Sequence, residues 1–557
     1  SYSRGADEDY LILVEPNSAP RVFDFTGTER TVNVEAGPTG YFEVADPKTT
    51  IELSTIGDFT FFTNKDVVVE QLTDTVPDNP PIAIVYCQFA TYSRDYIVKI
   101  DGSVVGRYTT ADSSVAANEL DIRTNNIVEK LAAQIAKEVV TESLVSNYDL
   151  LWHRVVTTHD VVEIFSVVNL DTGEAVTNYS LVGDREIRIP DVTPIGGVNI
   201  EVRYTAVGFG SSDYTTEVSG NVMYLKRNDL AGFEVDTVDS ADGKDLIAIQ
   251  DRVSSVASLP PKAPDNYTIK VQNQVGFDAN SYWLKAVPID EEDQTGSEVR
   301  WEESGAQGSL YKFNTETMPY VLISEADGTF TFRKGEWEDR EVGNDDSNPF
   351  PSFLGSTIST LGSFQNRTLI TAGEAAVFGR TNSFFNLFRE STQVVAASDP
   401  IDIFADSDEV NKLLHHAVLD GDIVFFSKNG QFLIDGGKPI TKGDVIFKKV
   451  TSYPMNTLAD PAVTGESIIY SFNAGKYSGL REMFTDSLTD TKRARPITDH
   501  VSDYIEGSPT GIIASPNINT LLIKTDIDNK TLYVYDWLWV GNEKAQSAFH
   551  KWIFSGE

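Results

Sequence analysis

The stretch DIVFFSKNGQFLID (Asp422–Asp435) decides how this chain is read. An apolar run meets a short turn containing Asn429-Gly430, and a second apolar run follows, the pattern of two antiparallel strands joined by a tight turn. Working outward, the pattern appears upstream in YLILVEPNSAPRVFDF (Tyr10–Phe25), FTFFTNKDVVVE (Phe59–Glu70) and RTLITAGEAAVFG (Arg367–Gly379). Downstream it returns in SIIYSFNAGKYSGLRE (Ser467–Glu482) and TLLIKTDIDNKTLYVYDW (Thr520–Trp537). Asn429-Gly430 and Asp528-Asn529 are residue types suited to the unusual backbone angles of tight hairpins. The last four units begin 55, 45 and 53 residues apart, at Arg367, Asp422, Ser467 and Thr520. One small antiparallel sheet per interval of that size predicts β-propeller blades. A β-sandwich with additional hairpins is the alternative arrangement of the same strands.

The expected fold is therefore mainly β, a propeller-like body of antiparallel hairpin units interrupted by a large α+β insertion. The expected division is residues 1–76, N-terminal propeller-like hairpins; 77–144, an inserted domain with a helix; and 145–222, an inserted β module. Residues 223–350 complete the insertion and return to the body, and 351–557 form the C-terminal hairpins. The Pro-rich breaks VPDNPP (Val76–Pro81) and LPPKAPDNY (Leu259–Tyr267) support boundaries, since proline cannot donate to a sheet ladder. The one long helical pattern spans Val115–Val140, with Leu120, Ile127, Leu131 and Ile135 at one-face spacing and Ser114 as the expected N-cap.

Composition limits the function classes. The 557 residues hold 45 Lys plus Arg against 83 Asp plus Glu, a net charge of −38. Such acidity opposes sequence-independent gripping of duplex DNA, which relies on Lys and Arg at phosphates, and docking on anionic lipid. At 41% hydrophobic and 11% aromatic the chain can bury substantial cores. Its single cysteine, Cys87, excludes an intramolecular disulfide framework and a Cys-based zinc cluster. No run approaches the 18 apolar residues of a membrane-spanning helix. SYSRGADEDY is no signal peptide, the first residue is not Met, and both ends are expected to be incomplete.

Catalytic patterns are sparse. The histidines His153, His159, His415, His416, His500 and His550 form no metal-binding spacing, and on a strand His415 and His416 would face opposite sides. There is no Walker loop, no GxSxG elbow and no GxGxxG after a strand. Asp526-x-Asp528-Asn529 lacks the later glycine and glutamate of a calcium loop and reads as a hairpin turn. SEADGTF (Ser324–Phe330) matches the Asp-box of sialidase propellers only in part and is expected to be a type I′ turn at Asp327-Gly328. Cys87 lies in the buried-strand pattern PIAIVYCQFA, which suits packing and not thiolate chemistry. Carboxylates are the conspicuous class: seven acids in IDEEDQTGSEVRWEE (Ile289–Glu303) and five in SDPIDIFADSDE (Ser398–Glu409). No pair among them can be singled out as a glycosidase set, and solvated acidic faces are the simpler reading. No catalytic, cofactor-binding or metal-binding residue is assigned, and no cofactor is expected.

From about Thr315 onward the chain resembles the tail nozzle proteins (tail tubular protein B family) of short-tailed phages. The resemblance rests on TETMPYVLISEADGTFTF (Thr315–Phe332), GEWEDREVGNDDSNPFPSFLG (Gly335–Gly355), FQNRTLITAGE (Phe364–Glu374) and GRTNSFFNLF (Gly379–Phe388). It continues in SDPIDI (Ser398–Ile403), NGQFLI (Asn429–Ile434), VTGESIIYSF (Val463–Phe472) and ITDHVSDYI (Ile497–Ile505), with RVFDFTGTER (Arg21–Arg30) and LPPKAPDNY earlier in the expected order. These landmarks are turns, hairpins and aromatic clusters, so no catalytic residue is carried over. Against the resemblance, residues 145–222 look longer than the family pattern, and the family's usual opening and its region beyond the propeller are expected to lie outside this sequence.

The resemblance implies a virion tail protein without turnover. It implies a homo-oligomeric, six-fold ring at the distal tail tube, seated on an adaptor ring protein and bordered by tail fibre proteins. Double-stranded genomic DNA would pass through it without sequence-specific binding. An acidic wall would repel phosphates and let DNA slide. The alternative from the residues alone is a tail-associated polysaccharide hydrolase or carbohydrate-binding protein, and a third reading is a fragment of an extracellular adhesin.

Overall fold

The computed structural model describes residues 2–3, 8–35, 40–147, 154–190, 199–241, 243–272, 281–290, 298–405, 409–486, 488–489, 491–540 and 543–555. The chain divides into two compact units, Ser1–Thr75 with Ser309–Glu557, and Val76–Gly308. Both are mainly β, built of sheets whose strand pairs are antiparallel except for one parallel pair described in each unit.

Among its described residues the first unit contains six sheets, taken here in order. The first pairs Tyr2–Ser3, Asp9–Leu13, Arg21–Asp24 and Glu29–Arg30. The second joins distant segments: Ile51–Ile56 and Phe59–Asn64 pair with each other, and Phe59–Asn64 also pairs with Tyr320–Ser324. Phe330–Lys334 and Val32–Val34 complete it, the latter in parallel. The third to sixth sheets are meanders of four strands starting at Thr360–Phe364, His415–Leu419, Ala462–Val463 and Pro509–Ser515, and in the fifth Ile505–Glu506 adds a further strand by pairing with Tyr477–Asp486.

Each sheet packs its face on the next. In Asp422–Phe426, Ile423 and Phe425 join Leu369, Phe378 and Ile401 of the third sheet. Val424 and Phe426 of the same strand join Ile468, Tyr470 and Met483 of the fifth. A strand covered on both faces has no solvent side, so its sequence is a near-continuous apolar run without polar alternation. Similar cores lie between the first and second sheets (Tyr10 and Val22 with Phe62 and Phe332) and the second and third (Phe61 and Val321 with Ile370 and Val377). The fifth and sixth meet through Ile469 and Leu480 with Leu521, Ile523 and Tyr535.

The irregular segments 309–319, 335–359 and 379–400, around the second sheet's last hairpin and inside the third sheet, are held by aromatic rings and arginines. Phe313, Phe350 and Phe388 meet edge-on or tilted at 5.2–5.4 Å, and Phe313 stacks on Phe353 at 6.1 Å. Arg367 is buried, and its guanidinium donates to the carbonyls of Gly379 (2.8 Å), Asp399 (2.8 Å), Ala397 (2.5 Å) and Ser398 (3.2 Å). Arg340 donates to Asp345 and to the carbonyls of Asn348 and Leu310, and lies 4.8 Å over Phe350. Arg389 donates to Asp399 and to the carbonyls of Ser347 and Val394. Irregular backbone can be buried here because these cations satisfy its carbonyls.

The second unit contains the helix Thr124–Ile135, whose Ile127, Val128, Leu131 and Ile135 are buried against Cys87, Tyr96, Val98, Met223 and Leu225. Those partners lie on two sheets, one centred on Ile82–Cys87 and Val222–Arg227, the other on Asp95–Ile100. The opposite side of the Ile82–Cys87 sheet packs Ile84, Val222 and Ile249 on Tyr267, Ile269 and Leu284. The long strands Lys137–Asn147 and Asn199–Ser211 pair, with Val161–Asn169 on the other side of Asn199–Ser211. A small sheet of Arg154–Val156, Glu186–Arg188 and Ser180–Val182 covers them through Val155 and Ile187.

Several expectations need correction. The helix is 12 residues long and not Val115–Val140: Ala116–Leu120 is a 3-10 turn, Leu120 is exposed, and Lys137–Asn147 is a strand. Its N-cap is Arg123, without a side-chain cap, and not Ser114. The Thr and Val residues after Lys137 favour extended backbone, so the helical spacing ends with the last buried position. Phe59–Glu70 is no hairpin, because Phe59–Asn64 pairs with Ile51–Ile56 and Tyr320–Ser324. Asp327-Gly328 is not type I′: only Gly328 has positive φ (80°), and Asp327 caps the turn by accepting from Thr329 N and Oγ1. Asn429, Gly430, Asp528 and Asn529 do not have positive φ either. The last turn is shaped by the Asp528 carboxylate, which accepts from Lys530 N and Thr531 N.

Replacing Arg367 by Met would strip the cation from four carbonyls while nearly preserving volume. We expect a loss of about 3 kcal/mol in the unfolding of the first unit, read by denaturant titration, with the second unit's transition unchanged.

Candidate functional site

The first unit carries a polar network where the edge strands of consecutive sheets meet. Ile51–Ile56, Thr360–Phe364, His415–Leu419 and Ala462–Val463 each lie beside the next. Glu52 and Lys65 belong to the second sheet and its following turn, Thr360 to the third, His415 and His416 to the fourth, and Asp460 to the approach to the fifth.

Adjacent strand residues point to opposite faces, and this splits the histidine pair. His416 turns to the third sheet, its Nδ1 3.3 Å from Thr360 Oγ1, while the Thr360 hydroxyl donates to Glu52. Glu52 Oε2 is 2.7 Å from Lys65 Nζ. His415 turns the other way: its Nδ1 is 2.5 Å from Asp460 Oδ1 and its Nε2 3.1 Å from the Thr457 carbonyl. Gly362 makes room for the His416 ring, since a Cβ there would run into Nε2.

Burial raises the Glu52 carboxyl above the usual carboxylate range, against the opposing pull of Lys65. Burial, and then the neighbouring His415, push His416 down to about 4, so it is neutral near pH 7. The hydrogen bond from His415 holds the Asp460 carboxyl below its ordinary value. Thr360 stands between the carboxylate and the imidazole, and its proton goes to Glu52. A nucleophilic triad needs the imidazole between hydroxyl and carboxylate, so this order ties the strands together and does not activate the hydroxyl.

A second polar site is a cleft of about 810 Å³ lined by residues including Ser467, Glu482, Phe484, Arg495, Trp537 and Trp539. Glu482 is buried, and its carboxylate accepts from Lys544 (2.8 and 3.0 Å), Arg495 (3.0 and 3.2 Å) and Ser467 (3.2 Å). Burial raises its pKa, but the bonds from Lys544 and Arg495 prevail and hold it below the usual range. A carboxylate so saturated is a structural anchor for the two cations and a poor proton carrier.

The remaining residues singled out by sequence are dispersed. Cys87 is buried, and burial pushes its thiol up to about 12, opposite to an activated thiolate. His159 pairs with Glu142 at 2.6 Å, His550 lies 3.5 Å from Asp536, and the His500 ring packs 5.9 Å from Phe549. His153 lies outside the described residues. The acidic stretches are described only in part, since 291–297 and 406–408 fall outside. Within them Asp399 accepts from Arg389, and Asp402 from Ser352 N and Oγ. Among the described residues no group of three or more His, Cys, Asp or Glu is placed to hold a metal ion. Sequence reasoning missed Glu52, Lys65, Thr360 and Asp460, which come together only through sheet packing; the adjacent histidines were the one local signal.

A family model described as bacteriophage nozzle protein matches residues 1–191 and 197–557. Tail tubular protein gp12 of Escherichia phage T7 is 24% identical over 560 residues, covering 99% of this chain and 60% of that protein. The chain thus spans 60% of the length of the curated relative it matches. Among solved structures, a 6-phosphogluconolactonase homologue from Bacteroides uniformis has a TM-score of 0.27 at 12% identity, covering 50% of this chain and 79% of the other. The Neurospora crassa Pan2 WD40 domain gives 0.22 at 8%, covering 49% and 74%. Scores this low do not mark a shared fold.

Two outcomes follow from the network. Gly362→Val should displace the His416 ring and cost about 1–3 kcal/mol, measured by denaturant titration. The His416 pKa lies below its unfolded value of about 6.5, so the unfolded state binds the extra proton between these values. His416 therefore makes stability fall as pH drops from about 6.5 to about 4. Glu52, with its folded pKa raised, acts in the opposite sense as pH rises above the ordinary carboxylate value. His416→Gln should flatten the stability profile in that window and Glu52→Gln should steepen it, read by thermal melts at stepped pH.

Proposed function

Because the chain belongs to the bacteriophage nozzle protein family, we propose that it is a structural virion protein of the phage tail, building the distal tail tube through which genomic DNA leaves. The family match across nearly the whole chain carries this reading. The name of the T7 relative, a tail tubular protein, supports it.

In this reading six copies form a closed ring seated on an adaptor ring protein and flanked by tail fibre proteins. Double-stranded DNA passes without sequence-specific contacts. The six sheets of the first unit close into a propeller-like body, whose short, face-packed sheets give a stiff wall with protected edges. Six copies would carry six times the −38 of one chain, a field that disfavours adhesion of phosphates to the wall. The protein works by geometry and carries out no turnover. Its polar networks support this, since Thr360 is tied to a carboxylate and Glu482 is saturated by cations.

Electron microscopy of the protein with its adaptor ring protein should show six-fold rings with a central bore. Asymmetric single particles at every concentration would refute the ring. Incubation with host surface polysaccharide should release no reducing ends above a heat-inactivated control.

A further inference from the structure

The geometry points to a contact between copies of this chain in which a basic rim on the fourth and fifth sheets of one copy receives the acidic first sheet of the next. The inference rests on the ring reading and names the surfaces that would close it.

The chain is strongly acidic, yet two neighbouring segments are not. From Lys428 to Thr451 there are five Lys and Arg against two acids, and from Lys476 to Pro496 five against three. The remaining sequence holds 35 basic residues against 78 acids. The two segments meet in space, because Phe447–Thr451 and Thr491–Pro496, the edge strands of the fourth and fifth sheets, approach within 8 Å between Cα atoms.

Lys428, Lys448 and Lys449 are exposed, and none has an ion-pair partner among the described residues. Phe447 turns inward onto Phe425 and Phe432, which by alternation sends Lys448 toward the fifth sheet's edge. On that edge Arg493 is exposed and paired only with Asp486 among the described residues. Exposed apolar side chains flank the cations: Ile446 (66% exposed), Tyr453 (38%) and Leu488 (94%). Cations interleaved with apolar side chains suit a protein partner; a nucleic-acid surface would be more uniformly polar.

The first sheet offers the complement. Residues 8–35 hold six acids against two arginines, and Leu11, Leu13 and Phe25 are exposed beside Asp9 and Glu15. A rim on one copy and a different face on the next make a heterologous contact, the kind that generates a cyclic ring when the rotation closes. Copies of net charge −38 repel at long range, but screening limits this to about 8 Å at physiological salt. The local opposite charges then act at contact and set the register.

The test compares the wild-type protein with K448E/K449E, with D9K/E15K and with all four substitutions combined, by mass photometry and electron microscopy across a salt series. Each double variant should weaken assembly by about tenfold or more. The combined variant, in which both surfaces are reversed together, should recover rings. Circular dichroism verifies folding, and K226E in the second unit serves as a control that assembles normally. Wild-type rings unaffected by either double variant would overturn this contact and leave the ring reading standing. A wild-type protein that never assembles would overturn both. Loss of duplex DNA binding by K448E/K449E with assembly intact would reassign the rim to nucleic acid and overturn the proposal.

Discussion

The structure depends on burial of sheets by sheets in the order the chain makes them. A hairpin alone is marginal in water because half its apolar surface stays wet. Here Ile423 and Phe425 bury against the third sheet while Val424 and Phe426 bury against the fifth, so one five-residue strand serves two cores. The third sheet does the same, with Ile370 and Val377 on one side and Leu369 and Phe378 on the other. Each sheet is stable because its neighbours exist. A stack of this kind resists bending, since sliding any sheet from the second to the fifth would disturb two interfaces at native packing density.

Polar groups are fitted around that constraint. Glu52, Thr360 and His416 link three sheets at their edges, and His415 with Asp460 extends the connection to a fourth. Gly362 supplies the space for an imidazole that a larger residue would deny. The arginines at positions 340, 367 and 389 satisfy carbonyls of the irregular segments 309–319, 335–359 and 379–400. These polar contacts hold together strands and loops that the apolar cores alone leave with unsatisfied groups.

Some of this was legible in the sequence. The hairpins at Tyr10–Phe25, Arg367–Gly379, Asp422–Asp435, Ser467–Glu482 and Thr520–Trp537 are present in register, because apolar runs and turn residues are local signals. The opposed directions of His415 and His416 follow from strand geometry alone. The second sheet was not legible, since Phe59–Asn64 finds its partner at Tyr320–Ser324, with the whole second unit between them in sequence. The helix was legible only over Ile127–Ile135, where its apolar face meets the Cys87 core.

The sequence by itself determined the mainly β class, the hairpin units, the acidity and the family, because each is expressed in local pattern, composition or ordered similarity along the chain. Only the tertiary structure decided which sheets pack together, which arginines are buried and why, and that Glu52, Thr360, His416 and Asp460 share one network. The physical reason is that a buried polar contact depends on what surrounds it. Residues separated by hundreds of positions acquire a shared environment only when the sheets that carry them are stacked, and local pattern holds no record of that meeting.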